Sequence, residues 1–333
     1  MGVLFFGTPE TAVPFLEVCA ETLGLAGVVT APDRPRGRGR SLQPPAVKVA
    51  AERLGVRVFQ PQSCRNAEFV EAARKLAPTC LLVVAYGQLL PQDVLGLAPV
   101  ALNVHFSMLP QLRGPAPIQR ALAWGFVTTG VTVQQLASQL DAGDVVAQAV
   151  VPVWETDDAR TLLQRCVGVG VRLLRSVLCR LQRGEDLSSA AQSASLATWA
   201  PKWRSEDAWA GFDGPAARIA CQARAGAFGP AATCFLGGSR FKIWTALELW
   251  GTGRADSQPG AIIRLSRAGP VVQAGAGSLL VLEGQLEGRK RLTGAELVRG
   301  QIVRLGDVLS SCTKQWASGG QDGTAEGREA AVG

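Results

Sequence analysis

The chain of 333 residues is 47% hydrophobic and has a formal net charge of +7 at pH 7. This length suffices for one large or two ordinary domains with a substantial core. No apolar run approaches the ~18 residues that a membrane-spanning helix needs, and the N-terminal segment reads as a first strand rather than as a secretory signal. The positive net charge favours a polyanionic partner.

The eight cysteines are scattered along the chain without a Cys-x-x-Cys pair. This spacing argues against a structural zinc site and against a disulfide scaffold, and we predict no metal. Unpaired cysteines are typical of proteins in a reducing compartment. We therefore predict a cytoplasmic protein that does not associate with a membrane.

Short apolar strands alternate with helical segments through the first half of the chain. The pattern predicts strands at 3–7, 25–30, 57–60, 80–86, 103–105, 130–136 and 145–153. It predicts helices at 9–22, 46–54, 67–76, 117–123 and 157–181, the last capped by Asp157 or Asp158. Such alternation predicts an α/β fold with a doubly wound, mostly parallel, Rossmann-like sheet over residues 1–186.

The pattern changes after a stretch rich in serine and alanine, for which we predict a linker at 187–205. Short strands separated by glycine-containing turns are then predicted at 240–246, 260–266, 270–275 and 278–284. Their regular spacing predicts a small β-barrel domain over residues 206–311. The last residues, 312–333, have the composition of a disordered tail.

The only histidine of the chain, His105, lies two residues after Asn103 on a predicted strand. Alternate residues of a strand point to the same face, so an amide and an imidazole project side by side. Imidazole exchanges protons readily near neutral pH, which makes His105 the one histidine candidate for acid–base chemistry. A buried histidine with purely structural hydrogen bonds fits this segment equally well.

A second candidate element is the segment from Leu140 to Asp144, which contains Asp141 and Gly143. As an isolated tetrad of aspartate and glycine it is most simply a β-turn between two strands. If the turn delivers Asp141 to the sheet edge at which His105 lies, the carboxylate can orient the imidazole. The residues alone leave both interpretations open.

Two glycine-containing segments indicate which class of ligand the protein binds. Residues 6–9 form a tight strand-to-helix turn with one glycine, whereas a dinucleotide fingerprint requires three, so a nicotinamide dehydrogenase is disfavoured. The segment 33–40 is rich in glycine and carries Arg34, Arg36, Arg38 and Arg40. Arginine suits phosphate groups, so this loop is either an RNA contact or simply a solvated surface.

The run Asn103-Val104-His105-Phe106-Ser107-Met108-Leu109-Pro110, followed by Leu140-Asp141-Ala142-Gly143, resembles the signature of the formyltransferases that use formyltetrahydrofolate. Four further segments narrow the resemblance to the methionyl-tRNA formyltransferases, over both predicted domains to about residue 311. They are Phe6-Gly7-Thr8-Pro9, Pro32-Asp33-Arg34-Pro35, Ala85-Tyr86-Gly87 and Arg113-Gly114-Pro115-Ala116-Pro117-Ile118-Gln119.

The resemblance implies that 10-formyltetrahydrofolate donates a formyl group to the α-amino group of initiator methionyl-tRNA, for translation initiation. It implies a catalytic trio in which Asn103 donates to an oxyanion and His105, held by Asp141, supplies a second donor or moves a proton. It places folate contacts at Ser107, Met108, Leu109 and Pro110. The chain is expected to be a monomer.

The resemblance also implies tRNA contacts in two places. The arginines of segment 33–40 are one, and an OB-like fold of the second domain is the other. Candidate phosphate contacts on that domain are Lys242, Arg264, Arg267, Arg289, Lys290 and Arg291.

Some residues depart from the family pattern: Phe106 stands where many relatives have glycine or proline, Thr11 where an aromatic residue is common, and Pro115 where alanine is usual. Residues 225–233 lack the usual Asn-Pro turn.

Two alternative functions share the motifs, namely a sugar-amine or glycinamide-ribonucleotide formyltransferase and a non-catalytic RNA-binding relative. The arginine-rich loop and the length beyond residue 200 favour tRNA, and the complete trio favours an enzyme.

Overall fold

The computed structural model describes residues 2–36, 41–251, 253 and 256–311. These residues belong to two compact units, one of Met1–Ala121 with Phe126–Lys202 and one of Leu122–Gly125 with Trp203–Gly333. Arg38, Arg40 and the predicted tail lie outside the described residues. Within the described ranges, no helix is long and apolar enough to cross a membrane.

The first unit is built on a seven-stranded sheet with the order β5-β2-β1-β6-β7-β8-β9. The strands along the chain are β1 Val3–Gly7, β2 Leu25–Val29, β3 Arg34–Arg36, β4 Ser41–Gln43, β5 Val58–Phe59, β6 Cys80–Val84, β7 Val100–His105, β8 Thr128–Gln135 and β9 Val145–Pro152. The helices up to residue 182 are α1 Val13–Thr22, α2 Ala46–Arg53, α3 Ala67–Arg74, α4 Gln92–Leu95, α5 Pro117–Ala123 and α6 Ala159–Gln182.

The sheet is mostly parallel, as predicted. Strands β5, β2, β1, β6 and β7 run parallel, and β8 and β9 continue the sheet in antiparallel order. Strand β1 is fully buried, and its continuous apolar sequence is typical of a strand with both faces covered. Helix α3 packs on the face that holds Leu4 and Phe6. The doubly wound α/β fold is therefore confirmed.

On the opposite face, helices α1 and α6 pack against each other and α6 packs against β8 and β9. Gly170 of α6 makes this close approach possible, because a Cβ there would lie 3.0 Å from the ring of Phe15 and 3.1 Å from Val131. Helix α6 begins after Asp158, whose carboxylate accepts hydrogen bonds from the N–H groups of Arg160 and Thr161. Of the two predicted caps, Asp158 is the residue that caps the helix.

Two predicted elements differ in detail. The helix predicted at 9–22 starts as a 3₁₀ turn, Glu10–Ala12, and becomes α-helical at Val13, one residue before a proline that suits the first helical turn. Around the glycine- and arginine-rich loop predicted at 33–40, β3 and β4 form a short antiparallel hairpin, in which Arg34 pairs with Gln43. Arg34 and Arg36 of the arginine-rich segment therefore lie on one strand of a hairpin.

The segment from 187 to 202, predicted as a linker, belongs to the first unit. Its backbone pairs with the chain after β7, because Arg113 N–H donates to Thr198 O at 2.8 Å and Ala200 N–H donates to Arg113 O at 2.6 Å. A short 3₁₀ turn lies at Ala194–Leu196. Much of this segment is therefore fastened to the sheet domain.

The second unit contains an antiparallel sheet in the order β12-β13-β14-β11-β10-β16. Its strands are β10 Ala232–Leu236, β11 Ser239–Leu249, β12 Ile262–Leu265, β13 Pro270–Gln273, β14 Ser278–Leu286, β15 Leu292–Thr293 and β16 Leu309–Ser310, with helices α7 Ala216–Ala225 and α8 Gly294–Arg299. Two backbone hydrogen bonds join its ends, from Ile262 N–H to Asp307 O and from Leu309 N–H to Gly260 O, both 2.8 Å. The predicted small barrel is thereby confirmed, with an apolar interior around Phe241, Ile243 and Leu279.

Candidate active site

A cavity of about 460 Å³ lies in the first unit, at the wall that contains Asn103 and His105. The segment after β6 and the segment after β8 form much of its lining, and the lining is predominantly apolar. Cavities of this size and character are typical of small-molecule sites. The lining residues are Val83, Ala85–Leu90, Leu95, Asn103–Phe106, Gly114, Pro115, Pro117 and Gln134–Asp141.

Asn103 and His105 lie two residues apart on β7 and both line the cavity. The Asn103 amide donates to Asp141 Oδ1 at 3.2 Å. His105 is only 7% exposed, and its Nε2 lies 2.9 Å from the carbonyl oxygen of Leu112. Because a carbonyl only accepts, Nε2 carries the proton of this hydrogen bond. The other ring nitrogen, Nδ1, lies 3.5 Å from Asp141 Oδ1.

The Asp141 carboxylate is held by three neutral donors. Besides the Asn103 amide, the side chain of Gln134 donates to Oδ1 at 3.1 Å and the backbone N–H of Gly114 donates to Oδ2 at 2.9 Å. Its side chain is only 8% exposed. The sequence-predicted residues Asn103, His105 and Asp141 are therefore brought together in one cluster, in which Asn103 is hydrogen-bonded to Asp141 and His105 lies beside it.

Asp141 reaches this cluster from the turn that follows β8. Strand β8 is antiparallel to β7, with Asn103 opposite Gln134 and His105 opposite Thr132. The Asp141 turn follows β8 and therefore starts beside the beginning of β7, away from the strand end at which His105 lies. The chain then folds back, so that the Asp141 carboxylate lies beside both Asn103 and His105.

The backbone of the turn is tightly constrained. Asp141 has φ of +52°, in the left-handed region that aspartate tolerates better than most residues. A Cβ at Gly143 would lie 1.8 Å from the carbonyl oxygen of Gln135, so this position requires glycine. These two residues fix the course of the chain that presents the carboxylate.

The predicted folate loop, Ser107 to Pro110, lies next to the site but does not line the cavity. It is pinned by the hydroxyl of Thr132, which donates to Ser107 O at 2.7 Å, and by Gln148, which donates to Leu109 O at 2.7 Å. Folate contacts by this loop stay a prediction. The cavity walls at 85–90 and 134–140 were not predicted as a binding surface, although Ala85-Tyr86-Gly87 formed part of the resemblance.

The arginine-rich hairpin is anchored at its base by Asp33. The carboxylate accepts from Gln60 at 2.7 Å and from the Lys48 ammonium at 2.8 Å. The hydrogen bond from Gln60, followed by that from Lys48, lowers the pKa of Asp33. Arg34 is exposed, and the backbone of Arg36 lies in β3. The expected tRNA contacts of this hairpin stay a prediction.

The basic residues proposed on the second unit are all exposed, in agreement with a surface role. Two of them flank one aromatic ring, because the Lys242 ammonium lies 5.9 Å and the Arg291 guanidinium 4.9 Å from the ring centre of Trp244. Arg291 also pairs with Glu283. Cations beside an aromatic ring are common on surfaces that bind nucleic acids.

Comparison with known proteins defines the class of this fold and site. Residues 1–178 match the model of the formyl transferase family, and residues 202–301 match that of the formyl transferase C-terminal domain. The chain is 36% identical to a methionyl-tRNA formyltransferase of Natranaerobius thermophilus over 93% of its length and 100% of that protein. It is 39% identical to one of Acidithiobacillus ferrooxidans over 92% of its length and 98% of that protein.

The chain therefore belongs to the methionyl-tRNA formyltransferase family, and the resemblance predicted from the motifs is confirmed. Solved structures of other enzymes share the fold. An N-formyltransferase from Helicobacter canadensis, in complex with folinic acid and dTDP-3-aminofucose, has a TM-score of 0.63 at 16% identity, covering 84% of this chain and 98% of that one. HypX from Aquifex aeolicus, in complex with tetrahydrofolic acid, has a TM-score of 0.60 at 18% identity, and the match covers 91% of this chain and 48% of HypX.

Proposed function

We propose that this protein transfers the formyl group of 10-formyltetrahydrofolate to the α-amino group of methionine on initiator tRNA, for translation initiation. One observation carries the proposal: in a chain of this family, Asn103, His105 and Asp141 meet at one buried wall of an apolar cavity. The similarity to curated methionyl-tRNA formyltransferases extends over nearly the whole chain and supports the substrate.

The cavity fits a folate. Its volume of about 460 Å³ and its apolar walls suit a flat heteroaromatic ring, while Asn103 and Gln134 offer polar groups at one side. Tetrahydrofolic acid and folinic acid are bound in the two structures that share the fold, which supports the same ligand class here. The folate carries the formyl group on a nitrogen atom. An attacking amine can displace this nitrogen from the formyl carbon.

Asn103 is proposed to stabilise the transition state. When the amine attacks the formyl carbon, negative charge develops on the formyl oxygen and no nucleophile from the protein is needed. The Asn103 amide has two N–H groups, and its hydrogen bond to Asp141 occupies one of them. The second N–H is available to the developing oxyanion, and one such donor contributes about 10²–10³ in rate.

His105 and Asp141 are proposed to manage protons and charge. The attacking amine must lose a proton and the folate nitrogen must gain one as the carbon–nitrogen bond to the folate breaks. His105 Nε2–H, now bonded to Leu112 O, can act as donor once the substrate oxygen replaces that carbonyl. When the imidazole gains a second proton, at Nδ1, Asp141 lies 3.5 Å from that nitrogen and stabilises the charged ring.

The tRNA is proposed to contact Arg34 and Arg36 of the hairpin and the exposed cations of the second unit, together with Arg38 and Arg40, which lie outside the described residues. The net charge of +7 supports a polyanionic partner. All cysteines in the described ranges are free thiols, which fits the proposed cytoplasmic location. We further propose that the protein works as a monomer.

A parallel assay tests the function. Purified protein is offered methionyl-initiator tRNA, a ribonucleotide amine and an amino-sugar nucleotide, each with 10-formyltetrahydrofolate, and formylated products are quantified. We expect formylation of the tRNA substrate by a wide margin. Formylation of either small amine without formylation of the tRNA would overturn the proposal.

The role of His105 has a separate test. We expect His105→Ala to lower turnover of methionyl-tRNA by at least about 10², because proton transfer and the second donor are lost together. Single-turnover rates with saturating folate measure this. Turnover within a factor of three of the wild type would remove His105 from the mechanism.

A further inference from the structure

Gln192, in the 187–202 segment, is hydrogen-bonded to the turn that carries Asp141. Its side-chain amide donates to Asp141 O at 2.9 Å and to Gly143 O at 2.7 Å. The same nitrogen lies 3.2 Å from Gln134 Oε1. Its side-chain oxygen accepts from Arg113, from Nε at 3.0 Å and from a terminal guanidinium nitrogen at 2.7 Å. One side chain thus joins three elements around the active-site carboxylate.

These contacts have a fixed direction. A guanidinium only donates, so Arg113 forces the Gln192 oxygen to face it and the Gln192 amide nitrogen to face the turn. That nitrogen in turn faces the oxygen of Gln134, which leaves the Gln134 nitrogen to donate to Asp141 Oδ1 at 3.1 Å. The carboxylate can only accept, so the order Arg113, Gln192, Gln134, Asp141 has one consistent orientation of both amides.

We propose that Arg113 and Gln192 are positioning residues for formyl transfer, which hold Asp141 in place through its backbone and through Gln134. The inference rests on the proposed function. The turn needs such support because Asp141 has φ of +52° and because its two carbonyls at 141 and 143 would otherwise lack these donors. Arg113 is 7% exposed, so its pairing with Gln192 is sheltered from solvent.

The geometry explains why the effect should appear in turnover. Gln192 does not line the cavity, so its loss removes no contact to a ligand there. Asp141 must lie correctly relative to His105 and Asn103, and misplacement of a catalytic group by about 1 Å can lower a rate by about 10². A positioning defect therefore lowers kcat and leaves KM nearly unchanged.

The decisive variant is Gln192→Glu. A carboxylate can still pair with Arg113, so the buried guanidinium keeps a partner and the fold is retained, but the donors to residues 141, 143 and 134 are gone. We expect kcat to fall at least about tenfold while KM for both substrates stays within about threefold. Gln192→Met, which removes both ends of the contact, should lose turnover as well.

Arg120→Met is the matched control. Arg120 also ties the same segment to the sheet domain, since Nε donates to Pro201 O at 3.0 Å and a terminal guanidinium nitrogen donates to Lys202 O at 3.3 Å. This variant should lower the thermal midpoint of unfolding and leave kcat per folded molecule unchanged. An equal loss of kcat in Arg120→Met and Gln192→Glu would mean that the segment acts only through stability, and would overturn the proposal.

The single histidine provides a readout independent of turnover. Nitrogen-15 spectra of the imidazole report only His105, and we expect its resonances to shift in Gln192→Glu and to stay in place in Arg120→Met. Unchanged resonances together with kcat within twofold of the wild type would overturn the inference. If the wild type fails to formylate methionyl-tRNA, the proposed function fails, whereas the spectra still decide whether Gln192 positions the site.

Discussion

Asp141 and Asp157 are two nearly buried carboxylates of the same unit, with side chains 8% and 2% exposed, but different partners surround them. Asp141 accepts from amide groups and lies beside an imidazole. Asp157 is paired with the guanidinium of Arg165 through two hydrogen bonds, of 2.6 and 2.7 Å. It also accepts from Trp154 N–H and from the hydroxyl of Thr161.

The partners determine what each charge can do. Burial alone would raise the pKa of Asp157, but the hydrogen bonds from Arg165, Trp154 and Thr161 outweigh it and lower the pKa. That charge is compensated by a cation and serves the start of α6. The amides around Asp141 orient its charge without neutralising it, so the charge remains available to His105. This difference in partners agrees with the role in the reaction that we propose for Asp141.

The strongest test of this contrast is Asp141→Asn. We expect turnover to fall by at least about 10², because the charge beside His105 is removed while the turn tolerates asparagine at positive φ. Asp144→Asn, which removes the same charge from the same turn, should stay within about threefold of the wild type. If both variants lose turnover equally, net charge rather than the placement of Asp141 controls the rate. Steady-state kinetics at saturating substrates measure both.

Asp157→Asn should lower the stability of the protein and leave turnover unchanged. Removal of one partner of a buried ion pair typically costs about 3–5 kcal/mol, and we expect about 3 kcal/mol because Arg165 keeps some access to solvent. Denaturant unfolding measures the loss, and kcat well below the unfolding midpoint should not change. Glu21→Gln breaks an exposed ion pair with Arg175 and should cost less than about 1 kcal/mol. A cost for Asp157→Asn as small as that of Glu21→Gln would contradict the structural role.

At acid pH, Asp157 should no longer contribute to the free energy of unfolding. Because its pKa is lowered in the folded protein, its stabilising effect is complete above the unfolded value of about 3.9 and is lost as the pH falls further, through the folded value. The difference in unfolding free energy between the wild type and Asp157→Asn should be constant from about pH 5 to 8 and shrink below about pH 4. A difference that grows toward acid pH would contradict a lowered pKa of Asp157 in the folded protein.

The smallest effect is expected for Arg38, a proposed tRNA contact that lies outside the described residues. Arg38→Ala is expected to weaken tRNA binding a few-fold at low salt and to reduce the dependence of log Kd on log salt by about one phosphate contact. Filter binding at several salt concentrations measures the slope. Arg74→Ala removes an exposed arginine of α3 and should leave the slope unchanged; equal effects of both variants would assign the binding to net charge alone.

The sequence predicted secondary structure best where burial or strand periodicity alone determined the pattern of neighbouring residues. Continuous apolar runs located β1 and β6, and the helix at Pro117–Ala123 has the predicted bounds. The two-residue spacing of Asn103 and His105 correctly placed them on one strand. In each case the signal is local, because burial or strand periodicity acts on neighbouring residues.

The elements that were missed have weak local signals or depend on residues that are distant in the sequence. Helix α7 is rich in alanine and lacks the large apolar residues that mark an amphipathic face, and α8 has six residues. A local signal did exist for α8, since Thr293 and Glu296 form a capping box. In the site, the donors Gln134 and Gln192 could not be inferred, because their partners are set by the antiparallel course of β8 and by the returning segment.

The fastening of Gln192 to the Asp141 turn has a consequence for dissection of the chain. Proteolytic cleavage at residue 186, the predicted end of the first domain, would leave all strands of the sheet but detach Gln192 from the active-site turn. Cleavage after Lys202, where the first unit ends, would keep that clasp. If the proposed role of Asp141 holds, a catalytic fragment must therefore extend to Lys202, because a fragment that ends with α6 lacks the contacts of Gln192.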